Sequence, residues 1–119
     1  MIIDVEVEVN FNNKRWSLDY NNYLIYRRRV KLLTNKVKME LLEEWNGYDY
    51  YDNEYIKENL NLHYNDRLYT TIDHKISVLN GFNNGLSPEF ISNINNLCIT
   101  KKYINSKKSN LNYNEFKTN

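Results

Sequence analysis

The sequence contains no alanine, one proline, three glycines and one cysteine. So little Gly and Pro excludes collagen-like repeats and Pro- or Gly-rich linkers. The lone Cys98 excludes an internal disulfide and a four-cysteine zinc site. Long apolar runs are also missing. The longest uncharged stretch, Ile76 to Pro88, is rich in Asn, Gly and Ser and cannot span a bilayer, so no membrane association is expected. The amino terminus, Met-Ile-Ile-Asp-Val-Glu, has no basic and apolar leader pattern, and the expected location is intracellular, in cytoplasm, host cell or organelle.

The 119 residues have room for one domain, with 41% hydrophobic and 26% charged residues, ordinary globular values. Asn, Tyr, Lys and Ile dominate. All four have AT-rich codons, which points to an AT-rich source such as a phage, virus or organelle and gives the many Asn residues no task of their own.

The formal net charge of +1 hides a strong segmentation. Residues 1–13 carry a net −3, residues 14–38 a net +7, residues 39–74 a net −7 and residues 75–119 a net +4. Two basic segments around an acidic one suit a protein that meets a polyanion on one face and holds carboxylates beside it. A salt-bridged surface with no partner is the plainer alternative.

Ile3, Val5, Val7, Val9 and Phe11 alternate with polar residues, a half-buried strand. From about Tyr20 to Trp45, Tyr26, Val30, Leu33, Val37, Leu41 and Trp45 recur every three or four residues, one face of a basic helical arm. Thr34-Asn35 offers a point at which it divides in two, and Asn46-Gly47 stops it. Residues 48–66 read as loops with a helical turn near Glu54–Asn59. Arg67–Asp73 reads as a strand, Asn80–Asn84 as a loop around Gly81, and Ser87-Pro88-Glu89-Phe90 as a helix start. Asn96–Thr100 is a short strand, followed by a short helix over Lys101–Lys108.

Three pieces of this second half carry chemistry together: Ile72-Asp73-His74-Lys75-Ile76 closing one strand, Asn95-Asn96-Leu97 opening the next, and Ile104-Asn105-Ser106-Lys107-Lys108-Ser109 on the helix. Read singly, an Asp-His dipeptide is surface decoration and Asn105 is one Asn among many. Their order within strand–loop–strand–helix resembles the HNH endonuclease family, whose core is a ββα-metal finger. The resemblance runs from about Tyr69 to Ser109, with a looser likeness of Trp45 to Ile56 to the lead-in segment of some members. The last HNH position is Asn105, a variant similar to the HNH domain of RNA-guided DNA nucleases.

The fold expected is therefore α+β: one domain with a strand and basic helical arm over residues 1–47 and an HNH-like region over 48–119, its finger at about 67–109. The resemblance implies metal-dependent hydrolysis of DNA phosphodiesters, by nicking or, in a homodimer or with a partner subunit, by double-strand cutting. A homing-type or phage role follows by analogy only. Asp73 and Asn105 would hold one divalent ion, Mg²⁺ or in its place Mn²⁺; His74 would be the general base; Asn96 would brace the loop that carries His74. A hard cation accepts such oxygen donors and keeps several waters, and a neutral imidazole suits proton abstraction near pH 7.

Duplex DNA is the expected partner, with Lys101, Lys102, Lys107 and Lys108 as phosphate contacts and Arg27, Arg28 and Arg29 as a second surface. Consecutive helix positions diverge by about 100°, so the three arginines cannot all face one backbone. The chain departs from the family in lacking the paired Cys-x₂-Cys knuckles. Tyr48, Tyr51 and Tyr103 lie near where such cysteines would fall, so no structural zinc is expected and aromatic packing would hold the finger. Two rivals stay open: a catalytically inactive HNH scaffold that binds DNA or serves a larger machine, and a protein-interaction domain whose basic segment pairs with acidic residues 39–58.

Overall fold

A computed structural model describes residues 13–118, and side chains from 21 to 116, so the amphipathic stretch 3–11 lies outside the described residues. The chain is a small α+β assembly. Helix α1 (Asn13–Glu44) runs 32 residues without a break. Its inner face carries Val30, 1% exposed, and Thr34, 7% exposed, flanked by the half-buried Leu33, Val37 and Leu41. No division occurs at Thr34-Asn35, because the apolar residues before and after it pack on one continuous surface and the Thr34 hydroxyl turns inward to His74 instead of capping a new start. None of the described helices is long and apolar enough to cross a membrane.

After Gly47, which takes a left-handed turn at φ +92°, residues 48–56 fold back on themselves through a Tyr48–Tyr55 bridge, and a 3₁₀ turn follows at Lys57–Asn61. Strand β1 (Thr70–His74) pairs antiparallel with β2 (Leu97–Lys101), Thr70 opposite Lys101 and His74 opposite Leu97. The strand begins later than the composition of Arg67–Asp73 suggests. The Asp66 side chain takes the Leu68 amide and its carbonyl the Tyr69 amide, a tight turn that keeps these residues out of the strand. His74 therefore closes β1.

Between the strands lie α2 (Val78–Asn83), α3 (Pro88–Ile91) and a 3₁₀ turn at Ile94–Asn96, all three packed on α1. Ser87 caps α3 as its sequence predicts, accepting from the Phe90 amide at 3.1 Å. The expected loop at Asn80–Asn84 is instead α2. Ser77 caps it, and the stop falls at Asn84-Gly85, where Gly85 has φ +71°. Gly81 is there for closeness rather than for a turn: a Cβ at that position would lie 2.5 Å from the Ile91 side chain and 2.8 Å from the Tyr26 hydroxyl. The same Tyr26 hydroxyl donates to the Leu86 carbonyl, and the Tyr23 and Tyr26 rings meet Phe82 edge-on.

Directly after β2 comes α4 (Lys102–Lys108), packed on both strands, and then α5 (Tyr113–Thr118). The core joins Val30, Ile56, Phe82, Ile91, Leu97, Cys98, Ile99 and Ile104 from across the fold.

Candidate active site

Adjacent residues of a strand project to opposite faces, and the end of β1 uses both. Asp73, 4% exposed, points into the layer under α4. Its Oδ2 accepts from the Tyr51 hydroxyl at 2.5 Å and its Oδ1 lies 3.3 Å from Lys108 Nζ. Lys108 is itself buried and also donates to the His74 carbonyl at 3.1 Å. Burial pushes the Asp73 carboxyl above the ordinary carboxylate range, against the opposing pull of the Tyr51 hydrogen bond and the Lys108 cation. On the same layer, the Cys98 thiol opposite Asp73 is raised to about 12 by burial and by the neighbouring carboxylate. Burial and the Asp73 hydrogen bond hold the Tyr51 phenol firmly protonated.

His74 turns the other way, toward α1, where its Nε2 lies 3.0 Å from Thr34 Oγ1. Burial, reinforced by the nearby Lys108 cation, lowers its pKa from 6.5 to about 4, so the imidazole is neutral throughout the physiological range. Nδ1 has no hydrogen-bond partner among the described residues.

The two faces reunite at an open cleft of about 400 Å³ lined by Asp73, His74, Asn105, Lys108, Tyr23 and Arg27, among others. The acid and base of β1 and the carboxamide of α4, 32 positions from Asp73 to Asn105, thus border one space. The Asn105 side chain makes no hydrogen bond to the described residues. Among the described residues no three His, Cys, Asp or Glu side chains gather into a cation site. Beside the Asp73 carboxylate and the Asn105 carboxamide, the cleft is lined by the Asn110 carboxamide and the hydroxyls of Ser77, Ser109 and Tyr23.

Asn96 stands outside the cleft and braces it. Its Oδ1 accepts from the Ile76 amide at 2.9 Å, its Nδ2 donates to the Ile76 and Ile91 carbonyls, and its own carbonyl accepts from the Lys75 amide. These bonds lock the turn that leaves β1 immediately after His74. From the other side, Asn112 Oδ1 takes the Ser77 amide, and the Lys75 carbonyl takes the Tyr113 amide.

The basic residues divide sharply. Lys101 and Lys108, expected at a phosphate surface, are buried among carboxylates. Lys101 Nζ pairs with Asp49 at 3.3 Å and with Asp52 and Glu54, while Asp49 also takes the Lys101 amide, the Thr100 hydroxyl and the Tyr51 amide. This cluster clamps residues 49–54 to β2. The same segment carries the edge-on ring pairs Tyr48–Tyr55 and Tyr50–Tyr51. Among the described residues, Asp49, Asp52 and Glu54 of the acidic segment thus pair with Lys101, and no ion pair joins that segment to the helical arm.

Lys102 donates to the Tyr64 carbonyl, and Lys107 is exposed. Of the three arginines, Arg27 borders the cleft, Arg28 is exposed and lies off it, and Arg29 makes an exposed 3.4 Å pair with Glu89. His63 accepts from the Asn65 amide and stacks on Tyr64, away from the cleft.

Two contributors are not evident from the sequence pattern. Thr34 carries a signal that could have found it, a hydroxyl on the apolar stripe of a helix. Tyr51 carries none beyond its place near an expected cysteine. No protein-family model matches the chain, and no curated protein or solved structure matches it significantly.

Proposed function

We propose that the chain is a divalent-metal-dependent endonuclease of the HNH type, built on a ββα-metal finger, that hydrolyses DNA phosphodiester bonds. The observation that carries this reading is the convergence of Asp73, His74 and Asn105 on one cleft across a strand–strand–helix unit. The donor set fits a hard cation that keeps most of its water. The Asp73 carboxylate has about four lone-pair directions for three side-chain donors, Tyr51, Lys108 and the more distant Cys98 thiol, and the Asn105 carboxamide is unpartnered among the described residues. Those two side chains would hold the ion. Its chemistry when bound is polarisation of the phosphoryl oxygen and stabilisation of the departing 3′ oxygen.

In this reading His74 is the general base. This role calls for the tautomer in which Nε2–H donates to Thr34 Oγ1, 3.0 Å away, so that the lone pair on Nδ1 takes the proton of the attacking water. The depressed pKa keeps that nitrogen unprotonated in the free protein, and an anionic phosphate entering the cleft raises its basicity at the moment of use. Asn96 acts through the backbone, holding the turn after His74. Arg27 at the rim supplies phosphate attraction.

A second reading is favoured by one contact. Lys108 Nζ already neutralises Asp73, as suits an inactive scaffold that binds DNA without cutting it. Supercoiled plasmid incubated with wild type and with His74→Ala, with and without chelator, decides between them. Nicking that needs both a divalent ion and His74 is expected. A wild type that binds duplex but leaves it intact with every divalent ion tried would establish the inactive scaffold.

A further inference from the structure

The charge of α1 is arranged by geometry rather than by run length. At 100° per residue, Arg27, Thr34, Lys38, Lys31 and Leu42 fall within about 80° of the helix circumference, whereas Arg28 lies just outside this stripe and Arg29 and Lys36 lie on the opposite side. Arg27 borders the cleft that holds His74. Lys31, Thr34 and Lys38 border a second cleft of about 310 Å³, floored by Thr70, Thr71 and Ile72 of β1. The two clefts adjoin where Thr34 meets His74. Arg27, Lys31 and Lys38 are exposed, and none has a carboxylate partner among the described residues, in contrast to Arg29, Lys101 and Lys108.

The geometry points to a single phosphate-tracking groove along α1. Arg27, Lys31 and Lys38 engage one strand of a DNA duplex and lead its backbone past His74. From Arg27 to Lys38 the helix rises about 17 Å, the length of about five nucleotide steps of one strand. The floor is short on charge and its threonines offer hydroxyls, so the cationic rim supplies the attraction and the groove reads backbone rather than sequence. The choice of DNA as the polyanion, and of His74 as the point of cleavage, rests on the nuclease reading; the stripe itself does not.

The test is fluorescence anisotropy of the full chain on a labelled duplex, in chelator so that nothing is cut, over a series of KCl concentrations. For every phosphate that a variant no longer engages, the slope of log K against log salt becomes shallower by about 0.9. Lys31→Ala/Lys38→Ala is expected to make it shallower by about two and to weaken binding about tenfold or more at fixed salt, while Lys36→Ala, across the helix, leaves the slope unchanged. Alanine favours a helix, so these variants fold. An unchanged slope in the double variant, an equal effect of Lys36→Ala, or no binding by wild type overturns the groove. Nicking that persists beside stripe-independent binding sinks the groove alone; stripe-dependent binding with no nicking sinks the nuclease reading and upholds the groove.

Discussion

Thr34 Oγ1 and His74 Nε2 lie 3.0 Å apart, forty residues distant in the chain, and this one bond ties the long basic helix to the end of β1. An imidazole has only two nitrogens, and engaging Nε2 fixes the orientation of the ring and leaves Nδ1 without a partner among the described residues. The helix is therefore part of the site and more than a charged arm beside it.

Thr34→Val keeps the volume and removes the hydroxyl. Losing one neutral hydrogen bond at a half-buried group costs about 1 kcal/mol, so nicking is expected to fall by about five- to tenfold with the helical signal intact. Thr34→Ser restores it. A loss that Ser fails to rescue, or no change in the pH profile of the Val variant, would show that the hydroxyl does not set the tautomer.

The neutral His74 also leaves a thermodynamic trace. Its folded pKa of about 4 lies below the unfolded value of 6.5, so between these limits the unfolded chain binds a proton that the folded chain refuses. Stability from this group is complete above pH 6.5 and drains away as pH falls toward 4, by an amount on the order of 3 kcal/mol. Asp73, whose carboxyl is raised, works in the opposite sense, so the comparison must be with His74→Gln. Urea melts at stepped pH should show wild type losing stability relative to the variant across that window. Parallel curves would contradict the depressed pKa. For the same reason the acid limb of kcat/KM for nicking, which reports the free protein, should fall near pH ~4 to 5 rather than near 6.5.

Gly81→Ala should reverse the usual sign of a glycine replacement in a helix. Exposed positions gain about 1 kcal/mol from that change. At Gly81 the new methyl meets Ile91 at 2.5 Å and the Tyr26 hydroxyl at 2.8 Å, and overpacking of this kind costs about 1–3 kcal/mol. A lowered urea midpoint is the expected result, and an unchanged or raised one would show that the α1–α2–α3 contact yields freely.

The helical arm was legible in the sequence because its apolar residues recur at the helical period over two dozen positions, and the cap at Ser87-Pro88 because its chemistry is local. The two strands and the helix after them were legible to within a few residues for similar reasons. The helix at Val78–Asn83 was not. Gly81 and its Asn neighbours carry turn chemistry locally, and only the closeness of Ile91 and Tyr26 explains a glycine inside a helix there. Lys101 and Lys108 misled for a related reason: a sequence shows a positive charge but not the carboxylates of Asp49 and Asp73 that meet it across a fold.

The α+β makeup, the periodic face of the arm and the order in which Asp73, His74, Asn96 and Asn105 occur all follow from spacing and residue type along one chain, and so they were already present in the sequence. Which side chains share a cleft, which lysines are spent on buried acids, and that Thr34 holds the imidazole emerged only with folding. Those outcomes depend on distances between segments dozens of residues apart, where packing and desolvation, not local preference, select the partner.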